Sequence, residues 1–311
     1  MGCPSSLSRQ TPLAGGSICS TLTSSPIGES YSGSNSSFAK QGVFVMSTPL
    51  ELVIHGASGR NGKRLIALGS SDAEVKLVGA IVRPNSLHLH LDAGTQAGVE
   101  AIGLPLSSQW PERADAAIDF SSPEGCVEAI RACVERKIPL VVASTGLTPE
   151  QVLEVEEGAR HIPICYAPNM SVAVNLTMKL VEYAAKALRD VTGGADVEII
   201  ERHHRFKEDS PSGTALKFGQ IVGKAMGITE HVHGRHGLCG KRPHNEIGYH
   251  AVRVGDDAGQ HTIVFGMMGE TIELRVAASN RDCYASGAIA AAKWLVGKPN
   301  GLYSMFDVLG L

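Results

Sequence analysis

Residues 201–215, ERHHRFKEDSPSGTA, concentrate titratable and hydrogen-bonding groups in one short stretch. His203 and His204 are adjacent, and Lys207 follows four residues after the first of them. A histidine titrates near neutrality and can give a proton to carbon or nitrogen in a transition state, while a lysine supplies a fixed positive charge for a carboxylate, or a second proton. Ser212, Gly213 and Thr214 read as a small-residue turn that opens a helix near Thr214, with free backbone N–H groups and two hydroxyls facing an anion. Together these groups suit acid chemistry on an anionic substrate. The segment VEIIERHH has strand character, which sends the two histidines to opposite faces and gives them different jobs. The bland alternative makes both surface residues, leaves Lys207 solvated and makes Ser212 or Thr214 an ordinary helix cap. The density of groups argues against it.

A second constellation lies near residue 56. GASGRNG places Gly56, Gly59 and Gly62 directly after the apolar run LELVIHG and at the start of a helical pattern. Backbone N–H groups and the positive end of a helix can hold a pyrophosphate there. A P-loop is excluded, because Lys63 is followed by Arg64 and not by serine or threonine. An NAD-preferring site usually carries an acidic residue about twenty positions further on, at the end of the second strand. GAIVRPN offers Arg83 instead, whose guanidinium suits the 2′-phosphate of NADPH unless it is simply an exposed surface arginine.

The elements that must carry these groups follow from hydrophobic periodicity. VKLVGAIV, AAIDFSS, PLVVAST and PICYAP are strand-like and alternate with the helical patterns PEGCVEAIRACVERK and TPEQVLEVEEGARH. Such alternation predicts a Rossmann-like, doubly wound parallel sheet, an α/β domain covering residues 46–171. After NMSVAVN the pattern changes to a long helix, then the strand ADVEIIERHH, then the helix TALKFGQIVGKAMG. IGYHAVRVG, GQHTIVFGMMG and ETIELRVAAS alternate with period two and are joined by Gly/Asp turns, as antiparallel strands with one covered face do. Residues 172–281 are therefore expected to form a second α+β domain with a mixed or antiparallel sheet, for substrate binding and oligomerisation. The Ala-rich segment within 282–311 is expected to pack back on the first domain.

Composition sets the remaining bounds. With 311 residues, 43% of them hydrophobic, the chain can bury a full core. A formal net charge of −3 and scattered Lys and Arg argue against a nucleic-acid partner. The cysteines form no CxxC pair and no framework, so they read as reduced packing thiols in a cytoplasmic-type compartment. No apolar run reaches the ~18–20 residues of a membrane-spanning helix. Residues 1–45 are serine-rich and aperiodic, which predicts a disordered leader or a mis-annotated extension with the true start at Met46. MGCPSS formally fits a myristoylation pattern, with Cys3 as a second acylation site, and the stretch faintly resembles a transit peptide.

The stretch at 201–215 also resembles the E-x-H-H-x-x-K-x-D-x-P-S-G-T-A signature of the dihydrodipicolinate reductase family, the 4-hydroxy-tetrahydrodipicolinate reductases. The resemblance runs from about residue 50 to 309 through GASGRNG, IDFSSPEG, VVASTGL, APNMSVAVN, IGYHAVRVGD and GLYSMFDVL. It implies an NAD(P)H-dependent enzyme of lysine and diaminopimelate biosynthesis. That enzyme reduces the dehydrated form of 4-hydroxy-tetrahydrodipicolinate, a cyclic unsaturated imine dicarboxylate, to tetrahydrodipicolinate. By the same resemblance His203 is the proton donor, His204 a substrate contact, and Lys207 a second donor or carboxylate partner. Gly213 and Thr214 hold a substrate carboxylate, flanked by Ser212. The cofactor contacts it implies are Gly56, Ala57, Ser58, Gly59, Arg60 and Asn61, then Ala143, Ser144 and Thr145, then Ala167, Pro168, Asn169 and Met170, with Thr145 also near the substrate. A homotetramer built through the second sheet is implied as well. The chain departs from the pattern at Arg83, where many relatives are acidic, at Ser122, where they have arginine, and at Gln260, commonly glutamate. The choice between NADPH and NADH stays open.

Other functions would draw on the same residues. One is another two-domain NAD(P)-dependent dehydrogenase acting on an amino-acid-derived aldehyde or imine, and another is a nonenzymatic NAD(P)-sensing module, against which the clustered His203, Lys207, Gly213 and Thr214 argue. HVHGRH places His231, His233 and His236 near Cys239 and His244, but its spacing matches no familiar zinc pattern, so no metal is expected.

Overall fold

The computed structural model describes residues 48–311. The expectations for residues 1–45 and for a start at Met46 lie outside the described residues.

The first half of the chain folds as the alternating pattern requires. Strands β1 (Leu50–His55), β2 (Val75–Ile81), β3 (Leu106–Ser107), β4 (Ala116–Asp119), β5 (Leu140–Val142) and β6 (Pro163–Tyr166) join β12 (Gly301–Tyr303) in one seven-stranded sheet. The order is β12-β6-β5-β4-β1-β2-β3 and every pairing is parallel. Chain direction across the sheet reverses between β1 and β4, which opens a crevice beyond their carboxyl ends.

Period two sorts the apolar side chains onto two covered faces. Leu50, Leu52 and Ile54 of β1 and Ile118 of β4 pack with Leu65 and Ile66 of α1 (Arg60–Ser71) and with Ala288, Ala292 and Leu295 of α7 (Asp282–Leu295). On the other face Val53, Ala117, Leu140 and Val142 pack with Cys126, Ile130 and Cys133 of α3 (Pro123–Arg136) and Val155 of α4 (Pro149–Ala159). The C-terminal α7 thus lies in the core of the first sheet, clipped to α1 by a bidentate Arg64–Asp282 pair at 2.5 and 3.0 Å. Cys126, Cys133 and Cys165 are free, buried thiols in these cores.

α5 (Val172–Leu188) leads from the end of β6 to a second, five-stranded sheet. Its strands are β7 (Asp196–His203), β8 (Glu230–His233), β9 (Glu246–Arg253), β10 (Gln260–Met267) and β11 (Glu270–Ala277), in the order β11-β10-β7-β9-β8. The sheet is mixed. β10 pairs antiparallel with both β11 and β7, but β9 lies beyond β7 and runs parallel to it and to β8. The antiparallel arrangement expected of IGYHAVRVG with its neighbours therefore does not form. The crossover through α6 (Gly213–Met226) returns the chain parallel to β7, and β7 takes the place beside β10. α5 and α6 cover one face, where Val181, Phe218 and Val222 meet Val197, Ile199, Tyr249, Ile263 and Phe265.

Candidate active site

The glycine turn is shaped by its neighbours. Gly56 has φ +77°, and a Cβ there would sit 2.5 Å from the carbonyl oxygen of Phe120, so only glycine serves. Gly59 is the N-cap of α1 and provides no side-chain cap, which leaves the first amides of the helix without a side-chain acceptor. Asn61, in the first turn, holds a buried Oδ1 with no hydrogen-bond partner, an acceptor suited to a ligand hydroxyl. Ala57 is buried beneath the turn, Ser58 is half-buried, and Arg60 and Arg83 are exposed. Arg83 follows the end of β2.

Two further loops leave the ends of β5 and β6. Ala143 and Ser144 are buried, and Thr145 is exposed at the mouth. The Ser144 hydroxyl is turned inward and donates to Asp119 Oδ2 at 2.6 Å. After β6, Ala167 and Met170 are buried, Pro168 is exposed and Asn169 is half-buried. The Ser171 amide donates to Asn169 Oδ1 at 2.9 Å, which fixes the orientation of the carboxamide. Its Nδ2 is thereby free to donate to Thr214 Oγ1 at 3.3 Å. This bond joins the loop after β6 to the first turn of α6, so the two sets of residues singled out in the sequence meet.

At the end of β7 the covered face changes from apolar to polar. Val197, Ile199, Glu201 and His203 alternate on it, and all four are buried. Strand pairing brings His261 of β10 opposite Glu201, and Arg253 of β9 opposite His203. Glu201 accepts from His203 Nδ1 at 2.5 Å, from Arg253 at 2.9 and 2.7 Å, and from the Ser212 amide at 3.1 Å. Because the carboxylate only accepts, Nδ1 of His203 carries the proton and Nε2 is directed away from Glu201. That atom lies 2.8 Å from where a Cβ on Gly259 would sit, so the absence of a side chain at 259 makes room for the ring. Burial lowers the His203 pKa, against the raising effect of Glu201. Burial likewise opposes the charge on Glu201, but Arg253 and His203 together outweigh it and hold the carboxyl below its ordinary value.

His204, just past the strand, is half-buried, and its Nδ1 is buried with no partner. Lys207 donates to Asp209 at 2.7 Å and is half-buried. Ser212 is the N-cap of α6: its Oγ accepts from the Ala215 amide at 3.2 Å and pairs with His261 Nε2 at 2.9 Å. The ordinary capping role is thus realised at Ser212, and the amides of Gly213 and Thr214 are left without a partner inside the helix. Gly213 is exposed, with open space around its Cα.

The sequence from residue 50 to 170 matches the model of "Dihydrodipicolinate reductase, N-terminus", and residues 173–309 match "Dihydrodipicolinate reductase, C-terminus". The chain belongs to the dihydrodipicolinate reductase family. It is 58% identical to the 4-hydroxy-tetrahydrodipicolinate reductase of Rhodopirellula baltica across 85% of this chain and 97% of that one. Identity to the enzyme of the same name from Syntrophotalea carbinolica is 45%, across 84% and 99%. Among solved structures, the dipicolinate-bound dihydrodipicolinate reductase of Paenisporosarcina sp. TG-14 superposes with TM-score 0.68 at 22% identity, covering 84% of this chain and 99% of that one. An amine dehydrogenase from Mycobacterium smegmatis shares the fold at TM-score 0.54 and 13% identity, over 83% and 96%.

Within this reductase fold, sequence reasoning left Glu201, Arg253 and His261 without roles. Each is a polar residue in phase with buried apolar neighbours on its strand, and that phase is the signal that could have found them. The HVHGRH segment begins on β8, beside β9. His231 and His233 stack on Tyr249 at 5.6 and 5.1 Å, and His244 pairs with Asp196. Among the described residues no group of three or more His, Cys, Asp or Glu is arranged to hold a metal ion. Nor, among them, is any helix long and apolar enough to cross a membrane.

Proposed function

We propose that this chain is an NAD(P)H-dependent reductase that converts the dehydrated form of 4-hydroxy-tetrahydrodipicolinate to tetrahydrodipicolinate in lysine and diaminopimelate biosynthesis. The observation that carries the reading is the Asn169–Thr214 hydrogen bond, which brings a cofactor-type loop against an anion-binding helix start within a chain of this family. When bound, the nicotinamide supplies the hydride. Asn61 Oδ1 and the uncapped amides of α1 fit the hydroxyl and phosphate groups of such a dinucleotide. In this reading Gly56, Ala57, Ser58, Gly59, Arg60 and Asn61 form its phosphate and ribose site. Ala143–Thr145 and Ala167–Met170 line its nicotinamide end, and Arg83 faces the 2′-phosphate of NADPH.

The substrate's carboxylates are held by the amides of Gly213 and Thr214, the Thr214 hydroxyl, His204 and Lys207, with Thr145 closing the site from the other side. Reduction of a conjugated imine builds negative charge that an acid must quench. His203 gives that proton through Nε2, while Glu201 holds Nδ1–H and favours the imidazolium. An anionic substrate beside His203 favours the charged ring further, so the acid is loaded when substrate is present. We also propose that the enzyme works in the cytoplasm as a homotetramer assembled through the open face of the second sheet, where Ile200 and Val252 are exposed.

The test follows NADPH and NADH consumption with freshly generated substrate. His203→Ala and Lys207→Ala are each expected to lose ~100-fold or more in turnover. A rate unchanged in either variant refutes the role given to that residue, and a wild-type protein that oxidises neither cofactor refutes the reaction.

A further inference from the structure

β1, β4 and β5 all end at one buried carboxylate. Asp119, the last residue of β4, is fully buried and accepts three side-chain hydrogen bonds. Its Oδ1 receives His55 Nδ1 at 2.7 Å and Ser121 Oγ at 2.6 Å, and its Oδ2 receives Ser144 Oγ at 2.6 Å. Ser144 Oγ in turn accepts from the Ser121 amide at 3.0 Å, closing a ring of bonds between the loops after β4 and β5. Trp110 stacks over the His55 ring at 5.4 Å with 29° between planes, which covers the pair from above.

A buried charge is an expensive way to secure a fold, since well-packed apolar residues of similar volume often do as well. What it provides here is geometry. A carboxylate with three fixed donors locks the positions of all three strand ends at once. Those ends carry the glycine turn, the Phe120–Ser122 loop that presses on Gly56, and the Ala143–Thr145 loop. We infer that Asp119, with His55 and Ser121, is a positioning group for the bound cofactor, acting through the inward-turned hydroxyl of Ser144. It sets the Ala143–Thr145 loop against the glycine turn, so that both ends of one dinucleotide are held at a fixed separation. The inference rests on the cofactor reading above.

The test compares wild type with Ser144→Ala, Asp119→Asn and the double variant. Three quantities are measured: NADPH affinity by fluorescence titration without substrate, the KM for NADPH together with kcat, and the thermal midpoint. Ser144→Ala is expected to weaken NADPH binding and raise its KM roughly tenfold with kcat retained, and to lower the thermal midpoint by only a few degrees, because the hydroxyl's bonds are already made before the cofactor binds. In the Asp119→Asn background the same substitution is expected to add less than about twofold, because both act through one bond. NADPH affinity and KM unchanged in Ser144→Ala overturn the inference, including where Asp119→Asn only lowers the thermal midpoint or fails to fold. Wild-type protein that binds neither NADPH nor NADH overturns the cofactor reading, and this inference with it.

Discussion

Replacing Glu201 by glutamine removes one charge and little volume from the centre of the site. The carboxylate is 1% exposed and meets four donors, two of them from Arg253. A carboxamide offers one acceptor oxygen, so at least one donor of His203 or Arg253 must face an NH2 group. Breaking one partner of a buried ion pair costs about 3–5 kcal/mol. Arg253 keeps 20% of its side chain exposed and recovers some solvation, so the lower end of that range is expected, about 3 kcal/mol.

The kinetic consequence is separable from that loss. Without the opposing charge the His203 imidazolium loses its main support, and burial, already the dominant influence, lowers its pKa further. The rate limb that falls as pH rises through the acid's pKa therefore moves to lower pH in Glu201→Gln, and turnover at neutral pH falls by roughly 100-fold. Glu201→Asp, which keeps the charge but shortens its reach, is expected to restore the position of the limb and only part of the rate. In a His203→Ala background Glu201→Gln is expected to cost little more, since its effect passes through the imidazole. The assay is kcat/KM against pH, with the folded fraction of each variant fixed by a melting curve. An unmoved limb in a folded Glu201→Gln protein, or full additivity with His203→Ala, refutes the arrangement in which Glu201 holds the acid.

Two further predictions come from other groups. His261 is 5% exposed and burial drives its pKa down to about 4, so the fold holds it neutral. The unfolded chain takes up that proton first, so stability is full above the ordinary imidazole pKa and is lost as pH falls toward about 4, by about 3 kcal/mol in all. The melting temperature of His261→Gln is expected to fall less steeply than wild type between pH 6.5 and 4, and identical slopes refute the assignment. Arg83→Asp is expected to weaken NADPH by roughly tenfold or more while sparing NADH, and equal effects on the two remove the 2′-phosphate contact.

How much of this could be read from the sequence depends on the distance over which each feature is decided. The parallel sheet is written locally: Leu50, Leu52 and Ile54 alternate with residues facing the other core, and glycines or caps punctuate each turn. β3, α2 (Ala93–Ala97) and α8 (Met305–Leu309) hold too few periods and lack the continuous apolar run that marks the equally short β4, β5 and β6, so they form because neighbours supply their partners. β9 meets a different limit. IGYHAVRVG is long enough to be read as a strand, but nothing local says whether it pairs parallel or antiparallel.

The candidate site divides along the same line. His203, Lys207, Gly213 and Thr214 are legible because residue types with evident chemistry crowd into fifteen positions. Arg253 and His261 lie 50 and 58 positions beyond His203, and only the pairing of β9 and β10 with β7 returns them to it. Yet a trace of His261, and of Glu201 opposite it, was present. On β10 His261 keeps step with Ile263 and Phe265, and on β7 Glu201 keeps step with Val197 and Ile199, so each puts a polar group where the strand's period demands an apolar one. Such a group must find a partner inside the protein. Two out-of-place polar residues on strands of one sheet are therefore best read as each other's neighbours, and here Glu201 and His261 both meet the imidazole of His203.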